Sequence, residues 1–390
     1  MRDLELCIRF LQELIRVPSL PGDEGALAAR VATEMRRLGY DDVWTDEAGN
    51  VIGLIRGQGR APAVMFNTHL DHVDVGDPNA WPFPPYAGER RRGRVWGRGA
   101  VDIKGPLAAQ VYGVSRRFRA GERPPGDLFV TCVVQEEVGG VGARHLVRHL
   151  RPPYVVVGEP SGNGLRRGHR GRVELLVHVR GRSAHASTPE RGINPLRVLA
   201  NVIIGLDRLP MGHHPELGAS SVAPTLIRTD QRSANVIPGE AWLTCDWRTV
   251  PGESAEDVRH ALETLVNHSL IDGAAATVTV PVTIHTTYTG FALDVPASHP
   301  AYLLPQDHPA LEAAGRVLAE VLSVAPEVKT WRFATDGGHF AREGLTVIGF
   351  GPGEEGLAHT VQESIAVEEL EAALAGYAAL AHEWPLRLAI

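Results

Sequence analysis

The chain has 390 residues, more than one compact core usually holds, so two or three structural units are expected and a peptide hormone or disulfide miniprotein is excluded. Hydrophobic residues make up 44% and charged residues 22%, ordinary globular usage that leaves little room for extended disorder. The 39 basic and 46 acidic side chains sum to −7 with no polybasic run, which argues against a nucleic-acid partner. Three scattered cysteines (Cys7, Cys132, Cys245) supply neither a disulfide framework nor a thiolate metal site.

The first residues place Leu4, Cys7, Ile8, Leu11, Leu14 and Ile15 at helical spacing, interrupted by Asp3, Glu5 and Glu13, which predicts an amphipathic helix and not a signal peptide. No apolar stretch is long enough to span a bilayer, so no membrane partner is expected, and unpaired thiols suit a cytoplasmic location. Pro21-Gly22 marks a turn; Asp23 is expected to cap a second helix along Leu27, Val31, Met35 and Leu38, ended by Gly39. Short β-rich runs follow at 51–55 and 63–66, then a Gly/Pro-rich loop over 76–99, a helix over about 106–118, and strands at 128–134 and 154–157. Near-continuous apolar strands alternating with helices indicate an α/β unit with a mostly parallel central sheet covered by helices. From Val173 the pattern changes to alternating strands at 173–179 and 241–247, helices at 195–209 and 255–266, and a last strand at 276–284. This β-α-β-β-α-β order predicts a ferredoxin-like α+β domain. The α/β pattern resumes near Phe291 with a helix at 309–322, a strand at 345–350 and a helix at 367–384. The expected division is therefore a first domain from 1–172 and 288–390, with 173–287 inserted into it.

In open α/β sheets ligands sit beyond the carboxyl ends of the strands. Here the run 63–66 leads into His69 and Asp71, 128–134 into Glu136-Glu137, and 154–157 into Glu159; Asp102 lies in the turn before a helix and His359 follows the last strand. Two imidazoles and several carboxylates converging on one cleft would repel one another without cations. A pair of divalent metals answers this: if Asp102 bridges, His69 and Glu159 complete one site and Glu137 and His359 the other, and a bridging hydroxide would balance the remaining charge. Asp71, two residues after His69, can accept the other imidazole N–H, and one of Glu136-Glu137 is left free as a proton carrier.

These residues resemble the motifs of the co-catalytic zinc peptidase family that includes acetylornithine deacetylase, succinyl-diaminopimelate desuccinylase, aminoacylase and glutamate carboxypeptidase. The resemblance is carried by Thr68-His69-Leu70-Asp71, Trp96 to Gly105, Gln135-Glu136-Glu137, Gly158-Glu159-Pro160, Gly181 to His185, Asn235 to Pro238 and Ala358-His359, and spans nearly the whole chain. It implies a zinc-peptidase catalytic domain of 1–172 and 288–390 with 173–287 as lid and dimerisation domain. It further implies two divalent ions, zinc with cobalt or manganese as alternatives, held by His69, Asp102, Glu137, Glu159 and His359, and Glu136 as base beside Asp71. In that family the residue matching His185 reaches the partner subunit's active site, so the resemblance implies a homodimer, and Asn235, Arg248 and the Thr335-Asp336-Gly337 loop match its substrate contacts. The implied substrate is an N-acyl amino acid or small peptide, cleaved by a deacylase, dipeptidase or carboxypeptidase; a non-catalytic binding module on the same fold is the reading from a different class. His169 stands where the desuccinylase pattern has Arg, and the stretches 167–172, 187–192 and 330–335 are closer to a selenium-metabolism-linked branch whose substrate is not fixed. Gly351 to Gly356 satisfies GxGxxG after a strand, but Pro352 and two glutamates do not suit a pyrophosphate, so no dinucleotide is expected.

Overall fold

The computed structural model describes residues 2–322 and 324–388. Two compact units divide it: Met1–His169, Ile284–Leu293 and Leu303–Ile390 form the first, Arg170–Thr283 and Asp294–Tyr302 the second.

The first unit is built on a nine-stranded sheet. Its centre is four parallel strands in the order Leu128–Val133, Val64–His69, Tyr154–Val157 and Thr346–Gly349. Antiparallel strands Val51–Ile55 and Leu165–His169 flank them. The central strands are covered on both faces, which is why their sequences are near-continuous apolar runs and do not alternate. Helix Lys104–Arg119 packs between Arg2–Ile15 and Val367–His382. Gly113 permits this approach, since a Cβ there would lie 2.7 Å from the Cβ of Tyr377 and 3.1 Å from the carbonyl of Leu374. The chain fills first one side of Val64–His69 and then the other, which opens a crevice at the carboxyl edge of the sheet.

The second unit has four antiparallel strands in the order Ser221–Thr229, Glu240–Thr249, Gly171–Arg180 and Ala275–Thr279, with helices Pro195–Leu206 and Ala255–Ser269. This is the ferredoxin-like order. Val173, Leu175, Val177 and Val179 alternate inward with Ala241, Leu243, Cys245 and Trp247 against Val198, Val202, Leu262 and Val266 of the helices. Ser254 and Asp257 form a capping box at the second helix. Ser298–His299 adds to the same sheet beside Val173 and Arg172.

Two local expectations are corrected. The second helix runs Gly25–Arg37 with Glu24 at its N-cap position, and neither Asp23 nor Glu24 caps it through a side chain; the Glu24 carboxyl is buried and used elsewhere. The strand expected at 276–284 breaks in two, because Pro281 has no N–H to continue the ladder: Ala275–Thr279 stays in the second unit's sheet, while Val282–Thr286 pairs with Ala292–Pro296.

Candidate metal centre

Three parallel strands end at the same edge and deliver His69, the turn Gln135-Glu136-Glu137, and Glu159; Asp102 arrives from the turn before Lys104–Arg119 and His359 from the loop after Thr346–Gly349. His69 Nε2 lies 3.1 Å from Asp102 Oδ1 and 3.5 Å from Glu159 Oε1. On the other side of Asp102, His359 Nε2 lies 3.1 Å from Oδ2 and 3.0 Å from Glu137 Oε1. The sequence-derived ligands thus gather as two groups, His69–Asp102–Glu159 and Asp102–Glu137–His359, in each of which the donor atoms lie within 4.8 Å of one another. Either group could hold a cation, and the two share Asp102. Glu136 belongs to neither and lines the same cavity of about 250 Å³, with Phe333 and Glu355 on its wall.

The electrostatics demand positive charge. Burial and neighbouring carboxylates raise the pKa of Glu136, Glu137 and Glu159, with His69 opposing. Asp102 is buried too, yet hydrogen bonds from His359 and His69 hold it well below the usual carboxylate range. Asp102 and Glu137 in turn push His359 up to about 10, and His69 is raised despite its burial. Dications would supply that charge with both imidazoles neutral, and a nitrogen and oxygen donor set without thiolate suits zinc, cobalt or manganese.

Buried acceptors fix the backbone of this edge. The Asp71 carboxylate takes the N–H of Glu136 on Oδ1 and of Glu137 on Oδ2, both at 3.0 Å. His69 Nδ1 is 3.0 Å from the carbonyl of Asp71 and 3.3 Å from its carboxylate, so the main-chain oxygen is the closer acceptor. Glu24 Oε1 accepts the N–H of Gln135 at 3.2 Å and Asn50 Oδ1 that of Val134 at 3.0 Å. Burial, reinforced by Asp71, pushes Glu24 up to about 7. Under the Asp102 turn, Glu363 Oε1 accepts from Val101 and Asp102 at 2.9 and 3.0 Å, and Arg98 holds its other oxygen at 2.7 Å. Sequence reasoning passes over Glu24, Asn50 and Glu363 and gives Arg98 no role within its motif, since nothing near them in sequence marks a partner so distant along the chain.

The Thr335-Asp336-Gly337 loop is buried in the same unit. Thr335 donates its N–H to His169 Nε2 at 3.1 Å, and Gly337 donates to Thr335 Oγ1 at 3.1 Å, so the histidine that departs from the desuccinylase pattern helps hold this loop. Burial raises Asp336 to about 7, Asp71 adding to the rise while His69 and Arg144 oppose it. His185, Asn235 and Arg248 belong to the second unit. His185 is exposed on the short strand Ala184–His185, paired with Val236–Ile237, its Nδ1 2.7 Å from Ser187 Oγ. The Asn235 carbonyl accepts from Ala186 at 2.9 Å. Arg248 is exposed and bound by Asp246 at 2.6 Å. The glycines at 351 and 353 lie on the Glu159 turn, where a Cβ on Gly351 would be 2.4 Å from the Gly158 carbonyl, and only a single turn of 3-10 helix, Glu355–Leu357, follows them.

Residues 65–383 match the sequence profile of peptidase family M20/M25/M40. The chain belongs to that family. As an M20 member it is a metallohydrolase acting on amide or peptide bonds. The protein YgeY of Escherichia coli K12 is 31% identical over 383 residues, 96% of this chain and 94% of that protein. A Pyrobaculum aerophilum protein named as a LysW-lysine/LysW-ornithine hydrolase is 30% identical over 366 residues, 93% of each chain. The succinyl-diaminopimelate desuccinylase of Bradyrhizobium diazoefficiens is 29% identical over 281 residues, covering 66% of this chain and 72% of the relative. Among solved structures, aminopeptidase PepT of Bacillus cereus has the same M20 fold, with a TM-score of 0.77 at 19% identity over 98% of both chains. Human carnosine dipeptidase 1 gives 0.68 at 19% identity, over 99% of this chain and 96% of that one. No helix among the described residues is long and apolar enough to cross a membrane.

Proposed function

We propose that this M20 protein is a cytoplasmic homodimeric hydrolase that uses two divalent ions, zinc or else cobalt or manganese, to cleave the amide of an N-acyl amino acid or small peptide. The observation that carries this reading is Glu136, a carboxyl that lines the cavity beside two ligand groups sharing Asp102 and belongs to neither. His69, Asp102 and Glu159 would hold one ion and Asp102, Glu137 and His359 the other. When bound, such ions acidify a water and polarise the amide carbonyl. Glu136 takes the proton of the attacking water and passes it to the leaving nitrogen. Its raised pKa suits that exchange, and Asp71 keeps its backbone aimed. Asn235, Arg248 and the Thr335-Asp336-Gly337 loop would bind substrate, and His185 of the partner subunit would donate to the developing oxyanion.

A deacylase is favoured over a dipeptidase or carboxypeptidase because two of the relatives are named as hydrolases of a modified amino acid, a LysW-lysine/LysW-ornithine hydrolase and a succinyl-diaminopimelate desuccinylase. The test is release of free amine from N-acyl amino acids, dipeptides and carboxypeptidase substrates by protein loaded separately with each metal. Cleavage of N-acyl amino acids, lost in Glu136→Gln, is expected. Protein that binds two ions per chain and cleaves no amide would overturn the reading in favour of a binding module.

A further inference from the structure

A second cavity, of about 450 Å³, lies in the first unit beside the metal pocket. Phe333 and Glu355 line both, so the two cavities adjoin at these side chains. Its cations are Arg166, Lys329 and Arg332 and its anions Glu354 and Glu355. Four of these five charges are already matched. Buried Arg166 is held by Glu355 at 2.7 Å, Lys329 pairs with Glu327 at 2.6 Å, and Glu354 with Arg94 at 3.1 Å. Arg332 alone stands without a carboxylate within 4.0 Å among the described residues. Its neighbours fix its backbone: Trp331 is buried, its indole N–H bound to the Pro160 carbonyl at 2.9 Å, and Thr335 is bound to His169.

We propose that this cavity is a specificity subsite for a carboxylate on the part of the substrate beyond the scissile amide, with Arg332 as its counter-charge. The subsite rests on the hydrolase reading above and is separate from the Arg248 contact, which lies in the other unit. A planar guanidinium presents parallel N–H donors that match a carboxylate, while a distal ammonium would meet an uncompensated positive charge. Because Arg332 is exposed, water and salt weaken the pairing, so the discrimination should be modest.

The experiment uses metal-loaded protein and three amides with the same scissile bond and a distal carboxylate, carboxamide or ammonium. Wild type should favour the carboxylate over the ammonium in kcat/KM by roughly threefold to tenfold. Arg332→Ala should level the series and Arg332→Glu should invert it. Affinities of the same three compounds for Glu136→Gln protein, alone and combined with Arg332→Glu, give a readout that needs no turnover. If no amide is cleaved, the hydrolase reading fails and the affinity order decides the subsite by itself. Identical orders with and without Arg332→Glu, in rate or in affinity, would overturn the proposal.

Discussion

One carboxylate oxygen of Asp71 accepts the backbone N–H of Glu136 at 3.0 Å, and the other oxygen accepts the next N–H along the chain. The residue that lies behind a proposed ligand, His69, therefore also sets the direction of the proposed base. Asp71→Asn keeps the shape but turns one acceptor into an amide donor that faces an N–H. We expect it to lower kcat by about 10–100-fold, the usual cost of losing such a supporting partner. Asp71→Ala should be no milder. Steady-state kinetics at saturating metal check this, and a kcat within about twofold of wild type for Asp71→Asn would dissociate the contact from catalysis.

Glu24 gives a sharper version of the same test, because it holds the backbone N–H one residue ahead of the base. Its carboxyl accepts from Gln135, and Gln at position 24 retains an acceptor oxygen. Glu24→Gln should stay near wild type, whereas Glu24→Ala strands a buried N–H at a cost of about 1–3 kcal/mol in stability. The alanine variant should lose turnover with both ions still bound; equal loss in both variants would point to the charge instead.

Sharing of Asp102 makes metal content diagnostic. Elemental analysis should find two ions per chain in wild type, close to none in Asp102→Ala, and one in Glu159→Ala. Chelation should lower the melting temperature, since an ion at 100 times its Kd adds about 2.7 kcal/mol to the folded state. An Asp102→Ala protein that keeps both ions would refute the shared ligand.

Two buried imidazoles that are not among the proposed ligands set an acid limit. His72 Nε2 accepts the Ser19 N–H at 3.0 Å and Nδ1 donates to the Val73 carbonyl at 2.8 Å, an arrangement only the neutral ring can make. Burial, with Lys104 and Arg98 adding to it, lowers its pKa to about 4, and burial beside Arg117 does the same to His382. Between about pH 6.5 and 4 the unfolded chain binds protons that the folded chain refuses, so stability falls as pH drops through that window. His382→Leu removes one such group. Denaturant unfolding at pH 7 and pH 5 should show the variant losing about 2 kcal/mol less than wild type across that interval. Equal losses would mean that His382 titrates normally.

The proposed contribution of His185 across a dimer has a mixing test. Glu136→Gln and His185→Ala should each be nearly inactive, yet a mixed dimer holds one site with Glu136 from one chain and His185 from the other. With free exchange of equal amounts, about one quarter of wild-type activity should return. No recovery after verified exchange would assign His185 to its own subunit or to structure.

The fold and the gathering of the five candidate ligands were legible because parallel strands buried on both faces are continuous apolar runs, and whatever follows such a run must lie at the ligand edge. The strand Ser221–Thr229, to which sequence assigned no range, lies at the edge of its sheet with Leu226 and Ile227 exposed, so no alternation marks it. Pro281 was a visible signal for the broken strand, outweighed by β-branched residues on both sides. Glu24 and Glu363 could not be told from surface glutamates, since each acts on backbone N–H groups that only tertiary structure brings near.

The pairing of Ser298 with Val173 and of His299 with Arg172 places the points where the chain enters and leaves the second unit side by side. During synthesis that unit can close once residue 299 has emerged, before Thr346–Gly349, the parallel neighbour of Tyr154–Val157, has been made. Until then the nascent first unit carries an open apolar sheet edge. Early folding of the insertion shortens the effective loop between residues 157 and 346, so the late strand searches for its place across a much smaller gap than the sequence separation implies.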